Sequence, residues 1–198
     1  MYPIITISRE AGSEGHAIGE MVAKELGIPL LDKDFIFEVA KELKLSAAEV
    51  ETKGEYLSRW EKYLNTNAYL GRYISDDQDN MYRLQRKIIL EQAEKGPCVI
   101  VGRCADYILA DTEVPTLNIF IHADMTYRKE VYRNRYPELK EDIEQILIKK
   151  DKGRKSYYRY YTDREWADPA NYDLCLDSGR LGKELCAQLI LSAARAKA

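Results

Sequence analysis

The chain opens with Ile4-Ile5-Thr6-Ile7-Ser8-Arg9-Glu10-Ala11-Gly12-Ser13-Glu14-Gly15-His16-Ala17-Ile18-Gly19. The first part of this stretch is apolar and β-branched, which favours a strand, and a turn with two glycines follows it. From residue 17 to residue 26 the pattern is amphipathic with helical spacing. A strand, a glycine loop and a helix in this order place backbone N–H groups at a helix N-terminus, where a phosphate can bind.

The loop departs from the standard phosphate-binding pattern G-x-x-x-x-G-K-[ST], whose lysine contacts the β- and γ-phosphates and whose hydroxyl binds magnesium. Gly15, His16 and Ala17 stand where the last glycine, the lysine and the hydroxyl residue would be. Ala17 cannot ligate a metal, and Glu14 adds a negative charge beside the loop. The residues alone leave two interpretations open, a modified phosphate site or a tight turn that needs its glycines only for backbone freedom.

Length and composition indicate one globular domain over residues 1–198. Of the 198 residues, 45% are hydrophobic and 32% are charged, which is enough to bury a substantial core. The net charge of −3 argues against a general nucleic-acid binder, and no apolar run approaches the roughly 18 residues of a membrane helix. The chain has no signal-peptide pattern and no CxxC spacing among its four cysteines. We therefore expect a cytoplasmic protein with reduced thiols and with neither a membrane nor a nucleic acid as partner.

Five short β-rich runs alternate with helical patterns, which predicts a parallel α/β sheet. The runs cover residues 4–8, 29–31, 98–102, 117–122 and 172–176. The chain between the second and third runs has helical character, and residues 81–93 are clearly amphipathic. We expect residues 35–95 to form a helical lobe over the carboxyl edge of the sheet, and residues 181–196 to form a closing helix.

Polar residues follow two of the predicted strands. Asp32 comes after the second strand, where a carboxylate can hold magnesium through water or accept a proton from an attacking hydroxyl; the alternative is a helix N-cap. Arg103 comes after the third strand, and its guanidinium suits bidentate capture of phosphate or carboxylate; the alternative is a surface ion pair. Both positions fall at the strand ends that line the ligand crevice of such sheets.

A segment rich in lysine, arginine and tyrosine covers residues 149–164. It allows three interpretations: a lid whose arginines close on transferring phosphates, a stacking surface for single-stranded nucleic acid, or a solvated helix with half-packed tyrosines. Residues 143–150 have a helical pattern. The lid interpretation covers residues 150–168.

Together these elements resemble the nucleoside monophosphate kinases, and specifically the cytidylate kinase-like family. The opening strand, the glycine loop and Leu30-Leu31-Asp32 have the spacing of cytidylate kinases. The loop matches best the branch that has Ile-Ser-Arg-x-x-Gly-Ser-x-Gly. Val101-Gly102-Arg103 resembles the family's Asp-Gly-Arg-Asp element, Asp151 and Arg154 resemble its Arg-Asp-x-x-Arg lid motif, and residues 172–178 resemble its last strand.

The chain departs from the family's pattern at several positions. The lysine and the hydroxyl of the loop are absent, histidine stands at position 16 where arginine is common, and Glu14 stands where glycine is usual. Val101 and Cys104 replace the acidic residues that flank Gly-Arg. Arg9 directly follows the first strand and is a candidate for the missing positive charge.

The resemblance implies a P-loop three-layer α/β sandwich with a helical acceptor-binding lobe and a lid. It also implies phosphoryl transfer from ATP, with magnesium, to a small acceptor, foremost a pyrimidine nucleoside monophosphate such as CMP. The expected donor-phosphate residues are Arg9, Gly12, Ser13, Glu14, Gly15, His16 and Ala17. The other expected site residues are Asp34, Arg83 and Arg103 for the acceptor, Asp32, Arg154 and Arg159 for catalysis, and Ser13 and Asp32 for magnesium.

Two alternatives remain open at this point. Asp32-Lys33-Asp34 resembles the Asp-x-Asp of shikimate-type kinases, in which carboxylates engage magnesium and a substrate hydroxyl. The missing lysine and hydroxyl of the loop favour a relic that binds nucleotides without turning them over.

Overall fold

In the computed structural model, residues 1–32 and 76–198 of the protein are described. The strands are β1 (Ile4–Arg9), β2 (Leu30–Leu31), β3 (Val99–Val101), β4 (Thr116–His122) and β5 (Leu174–Asp177). The helices of this part are α1 (Gly15–Leu26), α2 (Asp76–Lys95), α3 (Ala105–Ala110), α4 (Met125–Arg135), α5 (Ile143–Thr162) and α6 (Ser178–Ala196). Residues 33–75, which hold Asp34 and most of the expected helical lobe, lie outside the described residues.

The five strands form one parallel sheet in the order β2-β3-β1-β4-β5. This arrangement confirms the predicted five-stranded α/β sheet. The central strand β1 is paired on both sides, and its Ile5 lies opposite Val99 of β3 and Leu117 of β4. All strands end at the same edge, so the segments that follow β1, β2 and β3 come together there.

Successive side chains of each strand point to opposite faces of the sheet, and helices cover both faces, so the fold has three layers. Ile5 and Ile7 face one side of the sheet, where α1 and α6 cover them, whereas Ile4 and Ile100 face α2 and α3 on the other side. All four side chains are at most 1% exposed. Burial on both faces explains why these strands read as continuous apolar runs.

Two predicted helices are longer in the structure. The amphipathic residues 81–93 lie inside α2, as expected, and the helix predicted over 143–150 continues without a break to the end of α5. The segment predicted as a lid is therefore helical up to Thr162. One face of α5, which includes Leu147, Tyr157 and Tyr158, is buried.

Helix α6 begins before the predicted residue 181. The Asp177 carboxylate accepts hydrogen bonds from the N–H groups of Gly179 and Arg180, at 3.0 and 3.2 Å, and so caps the first turn. Gly182 then interrupts the helix with φ 75° and ψ 156°. Among the described residues, no helix is both long enough and apolar enough to span a membrane.

Candidate active site at the carboxyl edge of the sheet

A cavity of about 720 Å³ lies at the carboxyl edge of the sheet. The glycine loop and the ends of β1, β2 and β3 form its floor, while α4, α5 and the start of α6 supply its walls. The position agrees with the general location of ligand sites in open parallel sheets. Of the predicted site residues, those that line the cavity are Arg9, Gly12, Glu14, Gly15, His16, Ala17, Asp32, Arg103 and Arg154.

The glycine loop is held by backbone conformation and by buried hydroxyl groups. A Cβ atom on Gly12, which has φ 82°, would lie 2.7 Å from the carbonyl oxygen of Arg128. The Ser13 hydroxyl is fully buried and donates to the carbonyls of Glu10 and Ile121, at 2.9 and 3.2 Å. The structure thus places Ser13 in the framework of the loop rather than on the cavity surface.

A buried ionic network fastens the loop to α4 and α5. Arg128 donates through Nε to the carbonyl of Ala11 at 2.7 Å and pairs with Glu10 at 3.2 Å. Its Nη2 also donates to Asp151, whose other oxygen accepts the Ala11 N–H at 2.8 Å. Because Asp151 belongs to the predicted lid motif, this motif is anchored to the loop through its carboxylate.

Three arginines converge on the cavity. Arg154 donates to the carbonyl of Arg9 at 2.8 Å and lies 3.5 Å from Asp151. Burial lowers the pKa of Arg9 well below its ordinary range, and the positive charges of Arg154 and Arg103 lower it further. Burial likewise lowers the pKa of Arg154. Clustered cations with reduced solvation attract an anionic ligand.

The Arg9 side chain extends from the glycine loop to the turn after β3. A Cβ atom on Gly15 would lie 2.5 Å from the Arg9 Cβ, and a Cβ atom on Gly102 would lie 2.2 Å from Arg9 Nη1. Both glycines therefore leave the space that Arg9 occupies. Arg9 stands between the loop and Arg103, where it can contact ligands on both sides.

The turn that carries Arg103 is conformationally unusual. Gly102, Arg103 and Cys104 have φ values of 76°, 66° and 54°, all in the left-handed region. Non-glycine residues in this region are strained, and such strain is typical of functional sites. The buried Gln85 amide donates to the Arg103 carbonyl at 2.9 Å and to the Tyr157 hydroxyl at 3.3 Å, which fixes the turn against α2 and α5.

The His16 side chain lies between two carboxylates. Its Nε2 lies 2.9 Å from Asp32 Oδ2, and its Nδ1 lies 3.6 Å from Glu20 Oε1. The histidine therefore ties α1 to the end of β2. Asp32 also lines the cavity.

Two predicted site residues lie away from the cavity. Arg83 is exposed on α2, where Gln85 is the neighbour that reaches the Arg103 turn. Arg159 is 55% exposed on α5 and pairs with Glu165 at 3.1 Å and with Asp163 at 3.5 Å. The structure does not bring these two arginines to the other predicted residues.

The family model of the cytidylate kinase-like family matches residues 4–180, which include the sheet and every segment of the cavity up to the start of α6. The chain belongs to the cytidylate kinase-like family. The resemblance proposed from the sequence is thus confirmed. The cytidylate kinase of Methanococcus vannielii is 25% identical over 182 residues, 90% of this chain and 92% of the relative. That of Archaeoglobus fulgidus is 23% identical over 197 residues, 98% and 95% of the two chains.

Two solved structures have a fold similar to that of this member of the cytidylate kinase-like family. An uncharacterized protein from Eubacterium ventriosum superposes with a TM-score of 0.73 at 27% identity, with 98% of both chains covered. A gluconokinase from Sinorhizobium meliloti superposes with a TM-score of 0.55 at 13% identity, over 99% of this chain and 93% of its own. The second likeness, at this low identity, shows a shared fold only.

The sequence patterns did not predict that Arg128 and Gln85 support the site in this family member. Both are buried polar side chains, at 5% and 1% exposure, and both contact backbone carbonyls that are far away in the chain. Neither follows a strand or belongs to a glycine motif. The available signal was a polar residue on the buried face of an amphipathic helix, which is clear for Gln85 between the apolar positions of α2.

Proposed function

We propose that the protein transfers a phosphoryl group from ATP to a small acceptor, foremost a pyrimidine nucleoside monophosphate such as CMP. The observation that carries this proposal is the convergence of Arg9, Arg103 and Arg154 on one cavity beside the glycine loop. Phosphoryl transfer requires positioning and charge stabilisation far more than covalent chemistry by the protein. The cytidylate kinases among the relatives support the choice of CMP.

The donor phosphates bind, in this proposal, at the start of α1. Gly15, His16 and Ala17 form its first turn, whose N–H groups have no partners within the helix and are suited to phosphate oxygens. Arg9 takes over the charge of the missing loop lysine, because its guanidinium lies at the junction of the loop and the Arg103 turn. A guanidinium at this place stabilises the negative charge on the transferring group.

The acceptor binds on the Arg103 side. Arg103 holds the acceptor phosphate by charge-assisted hydrogen bonds. Tyr157, Tyr158 and Trp166 also line the cavity, and because these aromatic side chains are almost fully buried they form an apolar backing for part of its wall. Arg154 reaches the cavity from α5 and completes the positive lining between the two ligands.

Magnesium fits the site as a companion of the nucleotide. Mg²⁺ keeps several waters and is usually held by one or two carboxylates together with substrate phosphates. Asp32 provides such a carboxylate at the cavity surface, whereas the Ser13 hydroxyl is committed to loop carbonyls. Bound there, the ion would neutralise donor-phosphate charge. Among residues 1–32 and 76–198, no group of three or more ligating side chains forms a closed metal site.

A coupled ADP-release assay with magnesium and ATP tests the proposal. The acceptors are CMP, UMP, AMP, GMP, shikimate and gluconate, and we expect the highest kcat/KM with CMP. Arg103→Ala should raise the KM for the acceptor by about ten- to a hundredfold, because one charge-assisted contact contributes about 1.5–3 kcal/mol. Absence of ADP release with every nucleoside monophosphate would refute the proposal.

A second candidate is nucleotide binding without transfer. It is favoured by Ala17, which has no hydroxyl, and by the engagement of His16 with Asp32 at 2.9 Å. Saturable ATP binding in calorimetry, combined with no ADP release across the acceptor panel, would support this candidate over the enzyme.

A further inference from the structure

A lysine from the last helix reaches the glycine loop. Lys183 lines the cavity from α6, and its Nζ lies 3.1 Å from Oε1 of Glu14. The hydroxyl of Tyr127, on α4, donates a hydrogen bond to the other oxygen of Glu14. The loop carboxylate is therefore held by two side chains from two different helices.

The setting of this ion pair is specific. Glu14 has φ 58° and directly precedes the first residue of α1, so it borders the helix N-terminus at which the donor phosphates are proposed to bind. Gly182 breaks the helical course of α6 just before Lys183, with φ 75°. The Lys183 side chain is 39% exposed and the Glu14 side chain is 17% exposed, so the lysine is the more accessible partner of the pair.

Lys183 and Arg9 lie on opposite flanks of the loop. The Arg9 side chain packs on Gly102 after β3, while α6 follows β5, and these two strands lie on opposite sides of β1 in the sheet. A polyphosphate that follows the loop can thus meet a cation at each flank.

We propose that Lys183 is a second donor-phosphate-binding cation, which acts from α6 on the flank of the glycine loop opposite to Arg9. The inference rests on the proposed function, since it concerns the same donor site. The segment that matches the family model ends at residue 180, so Lys183 lies beyond it. An ammonium group has three donor hydrogens, and it can keep Glu14 as a partner while it contacts a phosphate oxygen. The hydrogen bond to Glu14 raises the pKa of Lys183, which keeps the group charged.

The first test is Lys183→Met, with binding of magnesium–ATP and of inorganic triphosphate measured by calorimetry. Loss of a charge-assisted contact should weaken both probes about tenfold or more and leave CMP binding unchanged. Arg180→Met is the matched control, because Arg180 is 86% exposed at the start of the same helix and pairs with Asp177. This control should bind both probes within about twofold of the wild type. A Lys183→Met protein that also binds within twofold would overturn the proposal.

The second test separates phosphate binding from simple neutralisation of Glu14. Glu14→Gly suits the left-handed backbone at this position and removes the carboxylate. If Lys183 contacts the phosphates, the double variant Glu14→Gly/Lys183→Met should still bind triphosphate about tenfold more weakly than Glu14→Gly alone. Equal affinities of these two variants would show that Lys183 only balances Glu14, and would overturn the proposal.

Binding and turnover distinguish this inference from the proposed function. A wild-type protein that binds ATP but releases no ADP refutes phosphoryl transfer, while the comparison between wild type and Lys183→Met remains measurable. Active wild-type enzyme with unchanged ATP binding in Lys183→Met refutes the role of Lys183 alone.

Discussion

At the residue scale, Arg9 is expected to lower the folding stability of the free protein while it serves the binding of an anionic ligand. Its guanidinium is partly buried and lies near Arg103 and Arg154, and both burial and these charges lower its pKa. The charges of Asp151 and Asp32 offset this effect only in part. Such an arrangement is expected at a position where the residue type serves ligand binding rather than folding stability.

Arg9→Met should therefore separate stability from activity. The melting temperature without ligand should stay equal or rise, because a repelled charge is replaced by an apolar chain of similar length. The KM for ATP should increase about ten- to a hundredfold. Arg195→Met, at an exposed pair with Glu25 that is not part of the cavity lining, should change neither quantity. A drop in melting temperature with an unchanged KM would identify Arg9 as structural.

Asp106 gives stability a dependence on pH. It is 5% exposed and accepts a 2.6 Å hydrogen bond from the hydroxyl of Tyr158, a residue that lines the cavity. Burial raises the pKa of Asp106, and the bond from Tyr158 opposes this rise. The folded protein thus binds a proton more tightly than the unfolded chain, so its unfolding free energy falls as pH rises from the ordinary carboxyl pKa to the raised one.

Asp106→Asn removes this titration and keeps an oxygen that can accept from Tyr158. The variant should gain stability relative to the wild type between pH 4 and pH 7, measured by denaturant unfolding at both values. Asp106→Ala, which leaves the Tyr158 hydroxyl without this acceptor, should lose stability at both. A pH-independent difference between wild type and Asp106→Asn would contradict the assignment.

At the element scale, α4 and α5 form the frame of the glycine loop. Arg128 is the one buried residue of α4, and it is held by Glu10, Asp151 and the carbonyl of Ala11. The neighbouring Lys129 pairs with Glu144 of α5 at 2.7 Å on the surface. Adjacent positions on one helix thus make a buried and an exposed ion pair between the same two helices.

These neighbours allow a matched comparison. Arg128→Met should cost about 3–5 kcal/mol, because it removes a buried guanidinium that pairs with the largely buried Asp151 and with the partly exposed Glu10. Lys129→Met should cost less than about 1 kcal/mol, since exposed pairs contribute little. Denaturant unfolding measures both. Similar losses in the two variants would mean that burial does not govern the Arg128 network.

The strands and helices differ in how well the sequence predicts them. The strands were predictable because burial on both faces makes them continuous apolar runs, and α2 because one apolar stripe recurs along it. The full length of α5 was not predictable, because Gly153 lies in its interior and glycine disfavours helices locally. Packing of Tyr157 and Tyr158 overrides this local preference. The roles of Arg128, Gln85 and Lys183 depend on contacts that only the tertiary fold creates.

At the scale of the whole molecule, the site is assembled from most of the chain. Loops after β1, β2 and β3 meet helices α4, α5 and α6 at one edge of the sheet. A ligand bound there contacts segments from both halves of the chain and stabilises the folded state as a unit.

ATP together with CMP should therefore raise the melting temperature more than either nucleotide alone. At about a hundred times the dissociation constant, one ligand adds about 2.7 kcal/mol, which is roughly 5–10 °C for a domain of this size. Differential scanning fluorimetry with magnesium measures the shift, and ATP with gluconate serves as the control. No shift with either nucleotide at millimolar concentration would contradict a shared site.

The frame of the glycine loop also has a consequence for the time course of folding. Ala11 bonds to Asp151 across 140 residues, and Ser13 bonds to Ile121 and to Ser178 across 108 and 165 residues. Contacts of such sequence separation form slowly, because a long loop must close before they contribute. The glycine loop thus acquires its final shape late in folding. In a refolding experiment, the ability to bind nucleotide should return with the slowest phase, after most helical signal has recovered.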